Sequence, residues 1–148
     1  ASKQVGQMQT LLENLYKQET TFGETDFSAL CGHLGKHVNK RSFLVLYTNF
    51  SNMTSLNRQL VYLQQLARQH RVLVVFFEDA DLKEYIAGKS VTTEDYYRHV
   101  IAEKFAFEKR LIVSTLKQHG IYSLLTTPDK LSIDVINKYL EMKSRQLL

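Results

Sequence analysis

A single cysteine, Cys31, leaves this chain no partner for an intrachain disulfide, so nothing in it points to an oxidising compartment. One proline and six glycines are too few for a low-complexity segment or a flexible linker, and no internal repeat is visible. No apolar run approaches the roughly 20 residues that a bilayer-spanning helix needs. The first residues are polar and amphipathic rather than signal-like. These absences predict a soluble, cytoplasmic chain with no membrane contact by this stretch. Charge of one sign is scarce as well: 19 Lys and Arg against 15 Asp and Glu leave a formal net charge of +4. The surplus is spread out, with its densest groups at Lys36, Lys40 and Arg41 and at Lys138, Lys143 and Arg145. Neither group is interleaved with aromatics on which bases could stack, so no nucleic-acid partner is expected.

What is present is an ordinary globular composition, 44% hydrophobic and 23% charged, in 148 residues; that is one domain's worth of chain with a real core. The chain opens on Ala1, which points to a processed form or a piece of something longer. Met8, Leu11, Leu12, Leu15 and Tyr16 recur at helical spacing, predicting an amphipathic helix over 6–18. Thr25 then serves as the N-cap of a helix reaching about Val38, with acidic Asp26 at its positive end. Three apolar runs follow, SFLVLYT at 42–48, VLVVFF at 72–77 and IYSLLT at 121–126. Strands apolar at every position are covered on both faces, the mark of a parallel sheet between helices.

The intervals fit. A helix at 54–69 carries Leu56, Leu60, Leu63 and Ala67 on one stripe. A short helix near 81–86 precedes a long one at 93–118, where Tyr97, Val100, Ile101, Phe105, Ile112 and Leu116 align and Glu94 pairs with Arg98. Gly120 stops that helix. A last helix at 132–145 turns Val135, Ile136, Tyr139 and Leu140 inward. The series strand, helix, strand, helix pair, strand, helix is a right-handed βαβ succession in one α/β domain over 1–148.

Ligands of open α/β sheets bind beyond the carboxyl ends of the strands. That edge collects Thr48, Asn49 and Ser51, then Glu78, Asp79 and Asp81, then Thr126, Thr127 and Asp129, with Thr25 and Asp26 nearby. As a binding face, its candidates are Asp26, Ser51, Glu78, Asp79 and Asp81. Helix capping alone accounts for Thr25, Thr54 and Asp79, since each precedes a helix. The acidic loop Glu78, Asp79 and Asp81 carries the alternative of a divalent-metal-dependent hydrolase or phosphotransferase. No further group is placed by sequence to complete such a site. His33 and His37 have the i, i+4 spacing of zinc ligands, but Leu34 stands where a general-base glutamate would follow, so they read as surface histidines. Gly32–Lys36 is not a phosphate loop, because its spacing is wrong and it lies inside a helix. Cys31, among helix-core residues, reads as inert packing. The Tyr96–Tyr97 and Phe105–Phe107 aromatics sit at helical spacing and read as core.

Several segments resemble a known family. RSFLVLYTNF, LARQHRVLVVFFEDADL and VINKYLEMKSR, with TDFSAL upstream, are similar to the C-terminal half of the bacterial "domain of unknown function 58" family over about residues 7 to 148. That family is von Willebrand factor A-like, and its members often accompany MoxR-type AAA+ ATPases. The resemblance implies a three-layer, Rossmann-like partial sheet of three parallel strands, the second half of a von Willebrand A-like domain. It also implies a structural role for His70, just before a strand.

Such domains place a DxSxS loop after their first strand, and this chain has none. Their metal site adds a threonine from a later loop and an aspartate after the fourth strand. Thr25 matches the threonine, whereas Asn49 in LYTNF occupies the aspartate position and removes a negative charge. The resemblance therefore implies a degenerate metal position at Thr25 and Asn49, no cofactor here, and Mg²⁺ only in a complete domain. The function it implies is a non-catalytic, MoxR-associated protein-interaction module and not an enzyme. With the preceding strand missing, residues 42–48 would form an apolar sheet edge through which two copies pair as a homodimer.

Overall fold

The computed structural model describes residues 6–19, 25–50, 52–78 and 92–147. The described elements are α1 (Gln7–Tyr16), α2 (Phe27–His37), β1 (Phe43–Tyr47), α3 (Met53–Gln69), β2 (Arg71–Phe77), α4 (Thr93–Gln118), β3 (Tyr122–Thr126) and α5 (Leu131–Ser144). The short helix expected near 81–86 lies outside the described residues. The three strands are all parallel, in the order β1-β2-β3. Phe43 stands beside Arg71 and Tyr47 beside Val75, while Leu73 stands beside Tyr122 and Phe77 beside Thr126. The α/β partial sheet anticipated from the apolar runs is the architecture found.

Alternation decides which face each residue serves. Val72, Val74 and Phe76 of β2 point toward α2, α3 and α4. They share one core cluster with Phe27, Cys31, Leu56, Leu63, Leu66, Ile112, Leu116 and Ile121, flanked by Leu44, Leu46 and Leu125. The opposite face presents Phe43, Val45 and Tyr47 of β1 and the fully buried Leu73 and Val75 of β2. There α5 packs along β3, and its Tyr139 ring reaches Phe43 at 5.8 Å between centroids.

Local chemistry sets the helix ends. Asp26, not Thr25, caps α2, its carboxylate accepting from the Ala29 amide at 2.9 Å. Asn52, not Thr54, caps α3 through the Ser55 amide. Thr92 and Asp95 form a reciprocal capping box at the start of α4. Gly120, at φ +71°, ends α4: its amide donates to Lys117 and that of Ile121 to Leu116, with Ile121 and Leu116 both buried. The same closure ends α5 at Gln146 (φ 54°), where the Leu147 amide donates to Met142.

Two expectations about burial do not hold. Tyr97, Val100, Ile101 and Phe105 of α4 are exposed, while Ala102, Ile112 and Leu116 are buried. At 1.5 Å per residue α4 is about 39 Å long, whereas strands of five to seven residues span about 17–23 Å. The helix ends where β3 begins, so its early turns extend past the carboxyl ends of the strands. Likewise Ile136 and Leu140 of α5 are exposed, because α5 is the one described helix on its face and nothing described packs outside it.

The backbone ladder fixes the state of β1. The Ser42 carbonyl accepts from the Arg71 amide at 2.8 Å, and the Thr48 amide donates to the Val75 carbonyl at 3.0 Å. In a parallel pair, alternate residues direct both backbone groups to the same neighbour. Ser42, Leu44, Leu46 and Thr48 therefore face β2, and Phe43, Val45 and Tyr47 send their N–H and C=O groups outward. Among the described residues no strand lies beyond them.

Candidate functional site

The carboxyl ends of the strands are built around Lys109. Its ammonium, arriving from α4, donates to the Asn49 side-chain oxygen at 2.6 Å and to the Phe50 carbonyl at 2.9 Å, and it lies 5.6 Å from the centre of the Phe76 ring. Burial pushes its pKa down, and the two carbonyl acceptors, which favour the ammonium, offset part of that desolvation. The site thus holds a built-in cation on Asn49. A metal ion seeking that carbonyl oxygen would have to displace Lys109.

Phe50 is buried and stacks on Phe27 at 6.2 Å, which brings the start of α2 to the tip of β1. Asp26 is thereby placed at the same end as Asn49, its carboxylate engaged in capping. Thr25 is exposed immediately before it. Of the acidic loop, Glu78 is half-buried and its amide donates to the Thr126 carbonyl. Ser51, Asp79 and Asp81 lie outside the described residues. Among the described residues no three His, Cys, Asp or Glu side chains gather as metal ligands would.

At the tip of β3 the buried Thr126 hydroxyl donates to the Asp134 carboxylate at 2.5 Å, tying the strand to the first turn of α5. The neighbouring Thr127 hydroxyl is buried and meets no partner at full hydrogen-bonding geometry. It lies near enough to Asp129 to be the chief influence holding that exposed carboxyl below its usual range, helped by local amides and Lys130.

The remaining candidates are accounted for locally. His33 and His37 stack at 4.2 Å, and because a carbonyl can only accept, His37 carries its proton on Nδ1 to meet the His33 carbonyl at 2.9 Å. Cys31 is buried, burial pushes its thiol pKa up, and Sγ donates to the Tyr62 carbonyl at 3.5 Å. His70 is buried at the other end of the sheet, where Nδ1 accepts from the Ser42 amide at 3.3 Å and joins the starts of β1 and β2.

Sequence reasoning overlooked Lys109. The available signal was its position one turn before the core residues Ile112 and Leu116, where an ammonium must find acceptors.

A second surface has the character of a contact site. Tyr47 is 59% exposed at the end of β1, and the outward backbone groups of β1 run beside Phe43 and Tyr139 to the exposed Ile136 and Leu140 of α5. On α4, Tyr96, Val100, Phe107 and Leu111 form another exposed apolar stripe, spaced four, seven and four residues apart. No described helix is long and apolar enough to cross a membrane. Comparison with protein-family models, with curated proteins and with solved structures finds no match.

Proposed function

We propose that the chain is a non-catalytic protein-interaction module whose working surface is the open side of the sheet. The observation that carries this reading is the row of outward N–H and C=O groups at Phe43, Val45 and Tyr47, lying beside exposed aromatic and aliphatic side chains. An edge of this kind accepts an extended strand from another chain, gaining main-chain hydrogen bonds and side-chain contacts together. The occupation of Asn49 by Lys109 further favours contact over metal chemistry at the strand tips. The order and spacing of the family-like segments support a von Willebrand A-like half-domain of bacterial, cytoplasmic origin working with a MoxR-type AAA+ ATPase. In that reading Mg²⁺ has a place only in a complete domain.

The test is amide hydrogen exchange with and without a purified MoxR-type ATPase. The amides of Phe43, Val45 and Tyr47 are expected to slow in the complex while the rest of the sheet is unchanged. Unaltered exchange at all three would remove the proposal.

A further inference from the structure

We infer that the amino end of the sheet is a docking surface for duplex nucleic acid, gripped by its phosphates without any reading of the bases. All three strands are parallel, so every turn from a helix into a strand lies at that end. The turn from α2 to β1 brings Lys36, Lys40 and Arg41 there, that from α3 to β2 brings Arg68 and Arg71, and that from α4 to β3 brings Lys117. The returning α5 adds Lys143 and Arg145, since its Tyr139 ring already reaches Phe43 at the start of β1. All of these cations except Arg71 are exposed. The two densest basic groups of the sequence, far apart along the chain, thus share one surface.

The turns that carry these side chains are tied to one another. His70 Nδ1 accepts from the Ser42 amide, joining the first two, and the Gln64 amide donates to His119 Nδ1 at 2.9 Å, fastening the end of α4 to α3. Charge is sorted between the two ends of the sheet. Residues 34–43, 64–73, 113–122 and 138–147 hold nine of the 19 Lys and Arg but one of the 15 Asp and Glu, so the remainder of the chain is net acidic. That single carboxylate, Glu141, is engaged by Lys138 and Arg145. Lys36, Lys40, Arg41, Arg68, Lys117 and Lys143 have no carboxylate partner among the described residues. The helix dipole favours the four of these that stand in a last turn. It does not account for Lys40 and Arg41, which lie outside any helix, or for the exclusion of acids.

What the surface lacks selects the polyanion. No large hydrophobic side chain is exposed in 34–43, 64–73, 113–122 or 141–147; the nearest, Tyr139 and Leu140, belong to the contact surface beside β1. Protein interfaces are built on an apolar, aromatic-rich centre, and amphipathic membrane contacts bury apolar side chains. Single strands are held by stacking on aromatics. A duplex needs cations alone, because phosphate contacts supply essentially all of its sequence-independent affinity. The missing aromatics that weigh against base recognition leave this mode open.

The experiment is fluorescence anisotropy of labelled mixed-sequence DNA and RNA duplexes, titrated with the full chain over a range of salt. Saturable binding is expected at low salt, indifferent to base sequence. The logarithm of affinity should fall against the logarithm of salt with a slope of about −4, at roughly −0.9 for each phosphate neutralised. Arg41→Gln and Lys143→Gln, both at exposed positions, should each make that slope shallower by about 1 and together weaken binding about tenfold. Lys104→Gln, exposed on α4 five residues before the Lys109 site at the opposite end of the sheet, should change nothing. Circular dichroism is expected to stay native in all three.

Absence of duplex binding at low salt would overturn the proposal. Equal weakening in Lys104→Gln would take the contact away from the amino end. Tighter binding of a single strand, or displacement of the duplex by anionic vesicles or polyglutamate at equal charge, would give the surface to a different partner. A marked preference for one base sequence would refute phosphate-only contact. Protection of the β1 amides by the ATPase tests the other surface alone.

Discussion

The two faces of the sheet are made from equally apolar strands and end in different states. On one, Val72, Val74 and Phe76 disappear beneath α2, α3 and α4. On the other, Leu73 and Val75 are buried at the centre, while Phe43 and Val45 are half-buried and Tyr47 stands open beside a lone described helix, α5. Strand composition reports that both faces avoid water, but it does not report which cover comes from the same chain. A residue's hydrophobicity is a demand for burial. How the demand is met depends on what lies above it.

The contrast can be broken by truncation. Phe76→Ala, at a fully buried position on the clad face, should cost about 3–5 kcal/mol in denaturant unfolding, whereas Tyr47→Ala measured at dilution should stay within about 0.5 kcal/mol. Comparable losses would mean that the open face is already filled within one chain. Next in size is Lys109→Met. It strips Asn49 and Phe50 of a charged donor, with an expected loss of about 1.5–3 kcal/mol that the same unfolding curves would register. A neutral result would show the ammonium to be dispensable at the strand tips.

Two smaller changes address α5, the described cover of the open face. Gln146 holds a left-handed conformation that suits glycine, so Gln146→Gly should gain about 0.5–1 kcal/mol, visible as a raised denaturation midpoint. Glu141 is held below its ordinary pKa of 4.5, first by the Lys138 ammonium and then by Arg145, at 2.9 and 3.2 Å. A lowered folded-state pKa contributes stability above pH 4.5 that is lost as pH falls through the folded value. Acid titration of the unfolding midpoint should therefore be shallower in Glu141→Gln, by a small amount because the pair is exposed. An identical acid limb in both proteins would assign the effect to other carboxylates.

Much of this architecture was readable beforehand. The apolar runs at 42–48, 72–77 and 121–126 located the strands to within a residue, and Gly120 marked the end of α4 through a backbone conformation that other residues avoid. Caps were less legible, since TD and NMT each offer two polar residues, and only geometry selects Asp26 and Asn52 as the acceptors for Ala29 and Ser55. The exposure of Val100, Ile101, Ile136 and Leu140 was not legible at all. Helical spacing defines an apolar stripe, but the reach of the sheet beneath α4 and the lack of any described layer outside α5 are tertiary facts. At the site, Asn49 was singled out for its position, whereas its ligand, Lys109, lies 60 residues away and could be found only in three dimensions.

The strand order has a consequence for assembly during synthesis. Each strand adds to the side of its immediate predecessor, so the sheet lengthens in one direction only: β2 seals the inner side of β1, and β3 then seals β2. Nothing in that progression returns to the far side of β1. Of the described strands, β1 is thus the earliest made and the one whose outer flank this succession leaves open.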